Sequence, residues 1–436
     1  MLERTRVAMR RLLTMANLFE NLSGIYGGLE ALALDKPLGY RALSSRSLTL
    51  RDCLHFTNLA AEAFIRDLDL KKGERVVLCI PEPADSLLVS AALMKAGGIV
   101  VPLDHGLPAG EIAHRVQGCG ATLAVVDGKV LAGRADLADS MPGLERMMVS
   151  GPRSQAPEGI LSLDKAMDLS SGFFLPYTLK PSNVVGLFYT GMQDGSLKAV
   201  MATNEGLLGP QRWATLLFPI RPGDPCVCAA SLRSMAGFSA AVLGLCMGLR
   251  LHLLPHLEPE SILEVMEAEK PAAFLGTPEI FASLLQAGAS GYDLSHVRFW
   301  LSAGGDLPQR VIKEFQASSS PRPGALRRPA CFVETYGAGG NATALTFKPA
   351  SPFLAWPAGC PGLVIPPNRL AVVDEAGRPL GRGKEGELVI KGPAVTPGYW
   401  NDVEGTLAAK RDGWLYTGIK AVKGRLLGSC LRSSIE

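Results

Sequence analysis

The stretch Tyr189-Thr190-Gly191-Met192-Gln193-Asp194-Gly195-Ser196-Leu197-Lys198-Ala199-Val200 holds residue types that could handle phosphate. Small residues let the backbone present several N–H groups to an anion, and Lys198 adds a point charge beside them. The run follows Val184-Val185-Gly186-Leu187-Phe188, which reads as a strand, and precedes Glu205-Gly206-Leu207-Leu208, which can open a helix. The pattern predicts a loop between a strand and a helix. A glycine loop with one lysine is also an ordinary surface loop, so the surrounding elements decide between the two.

The chain has 436 residues, 47% of them hydrophobic and 48 of them glycine, enough to fill the cores of two or more domains. Its 44 Lys and Arg against 41 Asp and Glu leave a net charge of +3, which offers no broad basic footprint for nucleic acid. Nine cysteines without a pairing or zinc-binding pattern read as reduced thiols of a cytoplasmic protein, with Cys226-Val227-Cys228 as core. Residues 1–21 intersperse Arg4, Arg6, Arg10 and Arg11 with Leu2, Val7, Leu12, Leu13, Leu18 and Phe19. That segment lacks the unbroken apolar stretch of a secretory signal and reads as an amphipathic helix lying on the domain. The most apolar later segment, 238–249, is too short to cross a bilayer, so no transmembrane segment is expected.

Around the loop the patterns alternate: helix 50–69, strand 75–80, helix 85–96, strand 99–103, helix 110–119 and strand 123–127. A second block continues with helix 207–217, strand 227–230, helix 238–247, strand 251–254, helix 258–269, strand 273–276, helix 278–286 and strand 297–302. Strands separated by helices of this length require crossover connections and a mainly parallel sheet, which gathers ligands at the carboxyl ends of its strands. From Arg369 short strands with turns, such as 370–374 and 386–390, suggest a small β subdomain. The expected class is α/β, with two crossover subdomains of mainly parallel sheet and a small C-terminal β subdomain.

Several segments together resemble the large domain of the adenylate-forming enzymes, the superfamily of acyl- and aryl-CoA synthetases, peptide-synthetase adenylation domains and luciferases. Lys95-Ala96-Gly97-Gly98-Ile99-Val100-Val101-Pro102-Leu103-Asp104 is similar to that family's K-A-G-A-x-x-V-P-L-D, and the opening loop aligns without a gap to its Y-T-S-G-T-T-G-x-P-K-G-V. Ser302-Ala303-Gly304-Gly305-Asp306-Leu307 resembles the segment beside adenine, and Glu334-Thr335-Tyr336-Gly337 the start of Y-G-x-T-E. Gly386-Glu387-Leu388-Val389-Ile390-Lys391-Gly392-Pro393, Gly398-Tyr399-Trp400-Asn401 and Asp412-Gly413-Trp414-Leu415-Tyr416-Thr417-Gly418 match the closing motifs nearly letter for letter.

The resemblance implies ATP-dependent activation of a carboxylic acid through an acyl adenylate, with magnesium on the phosphates and coenzyme A as acceptor. Such chemistry asks the protein mostly for positioning and charge neutralisation. It implies phosphate contacts at Thr190, Gly195, Ser196 and Lys198, and an adenine site bordered by Ala303, Gly304 and Gly305 with Tyr336 and Gly337. The acyl group would enter near Ser234, Gly237, Phe238, Gly276 and Thr277. The resemblance also implies a division into a helical arm and lead-in (1–48), a large domain (49–368) of two α/β subdomains parting near 180–205, a β subdomain (369–418) and an atypical tail (419–436).

Departures from the family pattern fall where the chemistry is. The loop carries Met192-Gln193-Asp194 where hydroxyls and a glycine are expected. A carboxylate about 4 Å from a phosphate repels it by roughly 4 kcal/mol at an effective dielectric near 20. Asp194 is the one candidate cation ligand there. Gly340 stands for the metal-binding glutamate, Ile419 for the ribose-binding aspartate, and Asn204 and Ser234 for histidines. The tail from Ile419 resembles nothing in the family and reads as a frameshift, a premature stop or a short form, leaving the smaller C-terminal lid domain unmatched. Two expectations stand: an impaired acyl- or aryl-CoA synthetase-like enzyme, or a catalytically inactive binding module. A small carboxylic acid is the expected substrate of the first, the second would bind an acyl group, a nucleotide or a partner subunit, and a partner subunit or a second copy of the chain is a candidate companion.

Overall fold

The structure, a computed structural model, describes all residues except 1, 11, 135, 142, 192–195, 217, 219, 320–329, 338–340, 342, 351–355, 357–359, 425–428 and 432–436, and only the backbone of 429–431. Its first sheet runs in the order Leu161–Ser162, Arg146–Ser150, Leu123–Asp127, Arg75–Cys79, Ile99–Pro102, Val184–Gly191, Leu197–Thr203. Every neighbour is parallel until the last pair, which is an antiparallel hairpin. The second sheet runs Leu363–Val364, Thr346–Ala350, Cys331–Tyr336, Phe299–Ala303, Ala273–Gly276, Pro225–Ala229, Arg250–Leu253, Glu30–Ala33, Ser47–Thr49. It is parallel through its centre and antiparallel at both edges.

Because side chains alternate along a strand, each strand feeds two cores. Val76 and Leu78, with Cys226, Cys228, Ala273 and Leu275, enter one core common to both sheets. Val77 and Cys79 instead pack under the outer helices of the first sheet, and Val227, Ala229, Phe274 and Trp300 under those of the second. The helix Leu50–Arg66 starts on a reciprocal cap, Thr49 accepting from the Asp52 amide while Asp52 accepts from the Thr49 amide at 2.8 Å. Helix Pro83–Lys95 is buried at nearly every position and carries no polar face, as a helix enclosed in the common core requires. At its end the buried Lys95 ammonium pairs with Glu20 at 2.5 Å, and burial pulls its pKa down. The lysine of the K-A-G-G motif is thus a strut between two helices.

Three expectations change. Residues 197–203 form a strand, so the small-residue loop joins two strands of a hairpin and the helix Asn204–Ala214 begins only afterwards. Val200 and Ala202 are buried along it, and that apolar content outweighs the polar start of the run. The segment 1–48 is woven into the large domain: Glu30–Ala33 lies parallel to Arg250–Leu253, and the buried Arg4 guanidinium donates to the carbonyls of Thr215 (2.6 Å), Phe218 and Ile220. Gly418 is no end point either, since the strand Trp414–Lys423 continues past it and pairs Glu385 with Val422 and Glu387 with Lys420. That strand sits with Arg369–Val373, Glu385–Lys391 and Lys410–Arg411 in a small antiparallel sheet, to which Ser429–Leu431 adds.

Candidate functional site

A cleft of about 470 Å³, counting space open to solvent, lies at the carboxyl ends of Phe299–Ala303 and Cys331–Tyr336. Ala236, Ser239, Ala240 and Leu243 form one wall. They fall on a single stripe of the helix Met235–Cys246, as their spacing of three and four dictates. Leu301, Ala303, Gly304, Thr335 and Gly337 form the facing wall, and Gln211, Thr343 and Ala344 complete the lining. Gly304 has φ +111°, a backbone conformation that favours glycine, while a Cβ there would meet the Ala236 methyl only at ordinary contact distance, 3.7 Å.

The turn after Gly304 is held from behind by charge. The Glu334 carboxylate accepts from the Leu307 amide at 2.8 Å, and the Lys348 ammonium lies 3.0 Å from Glu334 and 2.8 Å from Asp306. Burial pulls Lys348 down, but the two carboxylates outweigh it and its pKa is raised; burial pushes Glu334 up further than Lys348 draws it down. Tyr336 is half-buried against the core of the small sheet, and its hydroxyl has no hydrogen-bond partner among the described residues. Burial raises its pKa above the ordinary phenol range.

In the hairpin, Thr190 stands opposite Lys198, and Ser196 precedes the second strand. The Lys198 ammonium reaches Asp402 at 2.6 Å, while Asp402 caps the helix Val403–Ala409 by accepting from the Gly405 amide at 2.8 Å. Lys198 and then that amide hold the Asp402 carboxyl below its usual range. Asp194, Gly195 and Gly340 lie outside the described residues. Among the described residues no group of three or more His, Cys, Asp or Glu could hold a metal ion, and Asp306 and Glu334 are engaged by Lys348, so no magnesium site is assigned. Ile419 packs partly buried on the small sheet's core, and its amide donates to the Thr417 hydroxyl at 3.2 Å.

The cleft therefore brings together Ala303, Gly304 and Gly337, with Gly305 beside Pro278, whose ring a Cβ on Gly305 would meet at 3.3 Å. It does not bring in the expected acyl contacts. Ser234 is the cap of the Met235–Cys246 helix, accepting from the Gly237 amide at 3.0 Å and donating to the Ser231 carbonyl at 2.9 Å. Gly237 is glycine because a Cβ would lie 2.2 Å from that same carbonyl oxygen. Phe238 points into the common core against Phe188, with ring centroids 5.6 Å apart. A Cβ on Gly276 would strike the Phe274 ring at 2.8 Å, and Thr277 leads into the helix Pro278–Gln286. The stripe one turn beyond Ser234 lines the cleft instead, and helical periodicity drawn from Ala236 would have found it. Gln211 gave no such signal, since a glutamine in a polar-flanked helix reads as solvent-facing.

The profile of the AMP-binding enzymes matches residues 29–400. The chain belongs to the AMP-binding enzyme family. Among relatives, it is 25% identical over 413 residues to the long-chain-fatty-acid–CoA ligase of Bacillus subtilis, covering 86% of this chain and 70% of that one. It is 24% identical to the 3-hydroxybenzoate–CoA ligase of an Aromatoleum strain, over 86% of this chain and 69% of the other. In fold it is similar to a long-chain-fatty-acid–CoA ligase from Archaeoglobus fulgidus, with a TM-score of 0.82 and 20% identity over 98% of this chain and 84% of that one. It is also similar to an anthranilate–CoA ligase solved with anthranoyl-AMP, with a TM-score of 0.81 and 18% identity over 96% and 77% of the two chains. The paired parallel sheets and small antiparallel sheet are the large-domain architecture of these AMP-binding enzymes.

Proposed function

We propose that this AMP-binding family member is an acyl- or aryl-CoA ligase-type protein that activates a small carboxylic acid at the cleft with low efficiency. The acid's carboxylate oxygen would form a bond to the α-phosphorus of ATP as the bond to the departing pyrophosphate breaks. The thiol of coenzyme A would then displace AMP from the acyl adenylate. The observation that supports this most is the cleft itself, where the small-residue stripe of Met235–Cys246 faces Ala303, Gly304 and Gly337 at the strand ends. In this reading Gly304, Gly305 and Tyr336 border adenine, and Thr190, Ser196 and Lys198, together with Gly195, face the phosphates.

Low efficiency follows from the groups around it. Lys198 is drawn to Asp402, and the place expected to hold a ribose-binding carboxylate is the apolar Ile419. Desolvating two hydroxyls without a charged partner costs about 1–3 kcal/mol. Together with an acidic Asp194 in the phosphate loop, this favours exchange at least about a thousandfold below an unimpaired site. A second reading, a binding module without chemistry, draws on the same Ile419.

Carboxylate-dependent exchange of labelled pyrophosphate into ATP tests both. Slow, acid-dependent exchange supports the proposal, and turnover of about 10 per second, the median of ordinary enzymes, removes the impairment. No exchange, combined with a melting temperature raised by the acid, makes the binding module the better reading.

A further inference from the structure

Gln211 and Ser239 are polar in a wall where the fold has no use for polarity. Gln211 is 1% exposed and Ser239 4%, and among the described residues neither the Gln211 Nε2 nor the Ser239 hydroxyl has a hydrogen-bond partner. Buried polar groups are nearly always paired, so two orphans lining one cavity need a cause. Ser239 lies in mid-helix, where a serine can turn back to the carbonyl four residues earlier, and it does not. Both line the cleft, whose other described walls are largely alanine, glycine and leucine, with Thr335 and Thr343 the remaining hydroxyls. Thr335 and Thr343 are committed elsewhere, donating to the carbonyls of Ser302 and Gly206.

We propose that Gln211 and Ser239 together recognise a hydroxyl, amino or oxo substituent on the body of the acid. The chain then selects carboxylic acids that carry a polar group in an otherwise apolar frame over the matching plain hydrocarbon acids. The terminal amide of glutamine offers a donor and an acceptor, and the serine hydroxyl offers both. A substituent that reaches them satisfies groups the protein leaves unmade, and an unsubstituted acid keeps them buried and bare. Sites built to bond a substrate hydroxyl discriminate against its absence more strongly than apolar pockets discriminate by size. This inference rests on the cleft being the acid site.

Calorimetric titration of the full chain, with AMP present and absent, tests it against two series. One is benzoate with the positional isomers of monohydroxybenzoate and aminobenzoate; the other is hexanoate with ω-hydroxyhexanoate. The expected result is that at least one substituted acid binds about 10- to 100-fold more tightly than its parent, the range set by one unmade buried hydrogen bond. Gln211→Leu should abolish most of that preference, and Ser239→Ala part of it, while parent acids bind as well as before or better. Because Gln211→Leu removes an unpaired amide nitrogen, its melting temperature should hold or rise, which separates lost recognition from a damaged fold. Equal binding within each series, or a preference that both variants retain, overturns the inference and leaves the acid site standing. Failure of every acid to bind overturns the site reading beneath it.

Discussion

Lys348→Met isolates the charge network that holds the turn at Gly304. With Lys348 gone, the Glu334 carboxylate, 3% exposed, keeps only the Leu307 amide among the described residues. Asp306 is 42% exposed, so water screens its share and Glu334 decides the outcome. At the 3.0 Å separation the attraction is about 5 kcal/mol for an effective dielectric of 20. Part returns because Lys348 no longer has to be desolvated. The net loss is about 3–5 kcal/mol, the usual result of deleting one member of a buried pair.

The loss should depend on pH in one direction. Burial already raises Glu334 above its ordinary value, and removing the cation raises it further. A carboxyl with a folded pKa above its unfolded one penalises folding fully above the folded value and ceases to do so below the unfolded one, about 4.3. The Lys348→Met deficit is therefore complete in alkaline buffer and shrinks as pH falls through the raised pKa. Urea unfolding of wild type, Lys348→Met, Glu334→Gln and the double variant at several pH values measures it, and the double variant should recover most of the loss. A Lys348→Met variant within about 1 kcal/mol of wild type in neutral buffer would refute the reasoning, as would a deficit that does not change with pH.

The helix entry and one buried histidine give two further tests. Gly237→Ala drives a methyl to within 2.2 Å of the Ser231 carbonyl and should cost about 1–3 kcal/mol, and Ser234→Ala about 1 kcal/mol for its lost cap. Thermal unfolding measures both, and an altered acid preference in Ser234→Ala would show that its hydroxyl serves more than the cap. His252 lies 2.7 Å from Glu269 and 3.2 Å from Asp35; burial lowers its pKa, but these carboxylates, with Glu82, leave it raised. Its stabilisation is complete below the unfolded value near 6.5 and lost as pH rises through the folded one. His252→Gln should flatten the decline in stability above neutrality seen by urea unfolding, and a wild type without such a decline would contradict the assignment.

The interior of the fold was legible because parallel strands covered on both faces are short unbroken apolar runs, such as Ile99–Pro102 and Ala273–Gly276, bounded by glycine and proline. Edges were not. Leu197–Thr203 has a lysine and a small residue directly after its first position, and Glu30–Ala33 is a four-residue strand placed by its pairing with Ser47–Thr49 and with Arg250–Leu253, far along the chain. Family membership showed in ordered motifs, and Ala303, Gly304 and Gly337 do meet at one cleft. Ser234 and Gly237 lie outside the lining of the cleft and answer to helix capping and close backbone approach. Gln211 was invisible, since only tertiary packing shows that it faces inward.

The strands Glu30–Ala33 and Ser47–Thr49 give the opening of the chain a place in a sheet otherwise drawn from its second half. On the ribosome Glu30–Ala33 emerges long before Arg250–Leu253 and waits, with the hydrogen-bonding edge on that side open, while the whole first sheet is translated. A gene split between the two sheets would accordingly yield halves that zip together through that strand, and neither half would be a finished domain by itself.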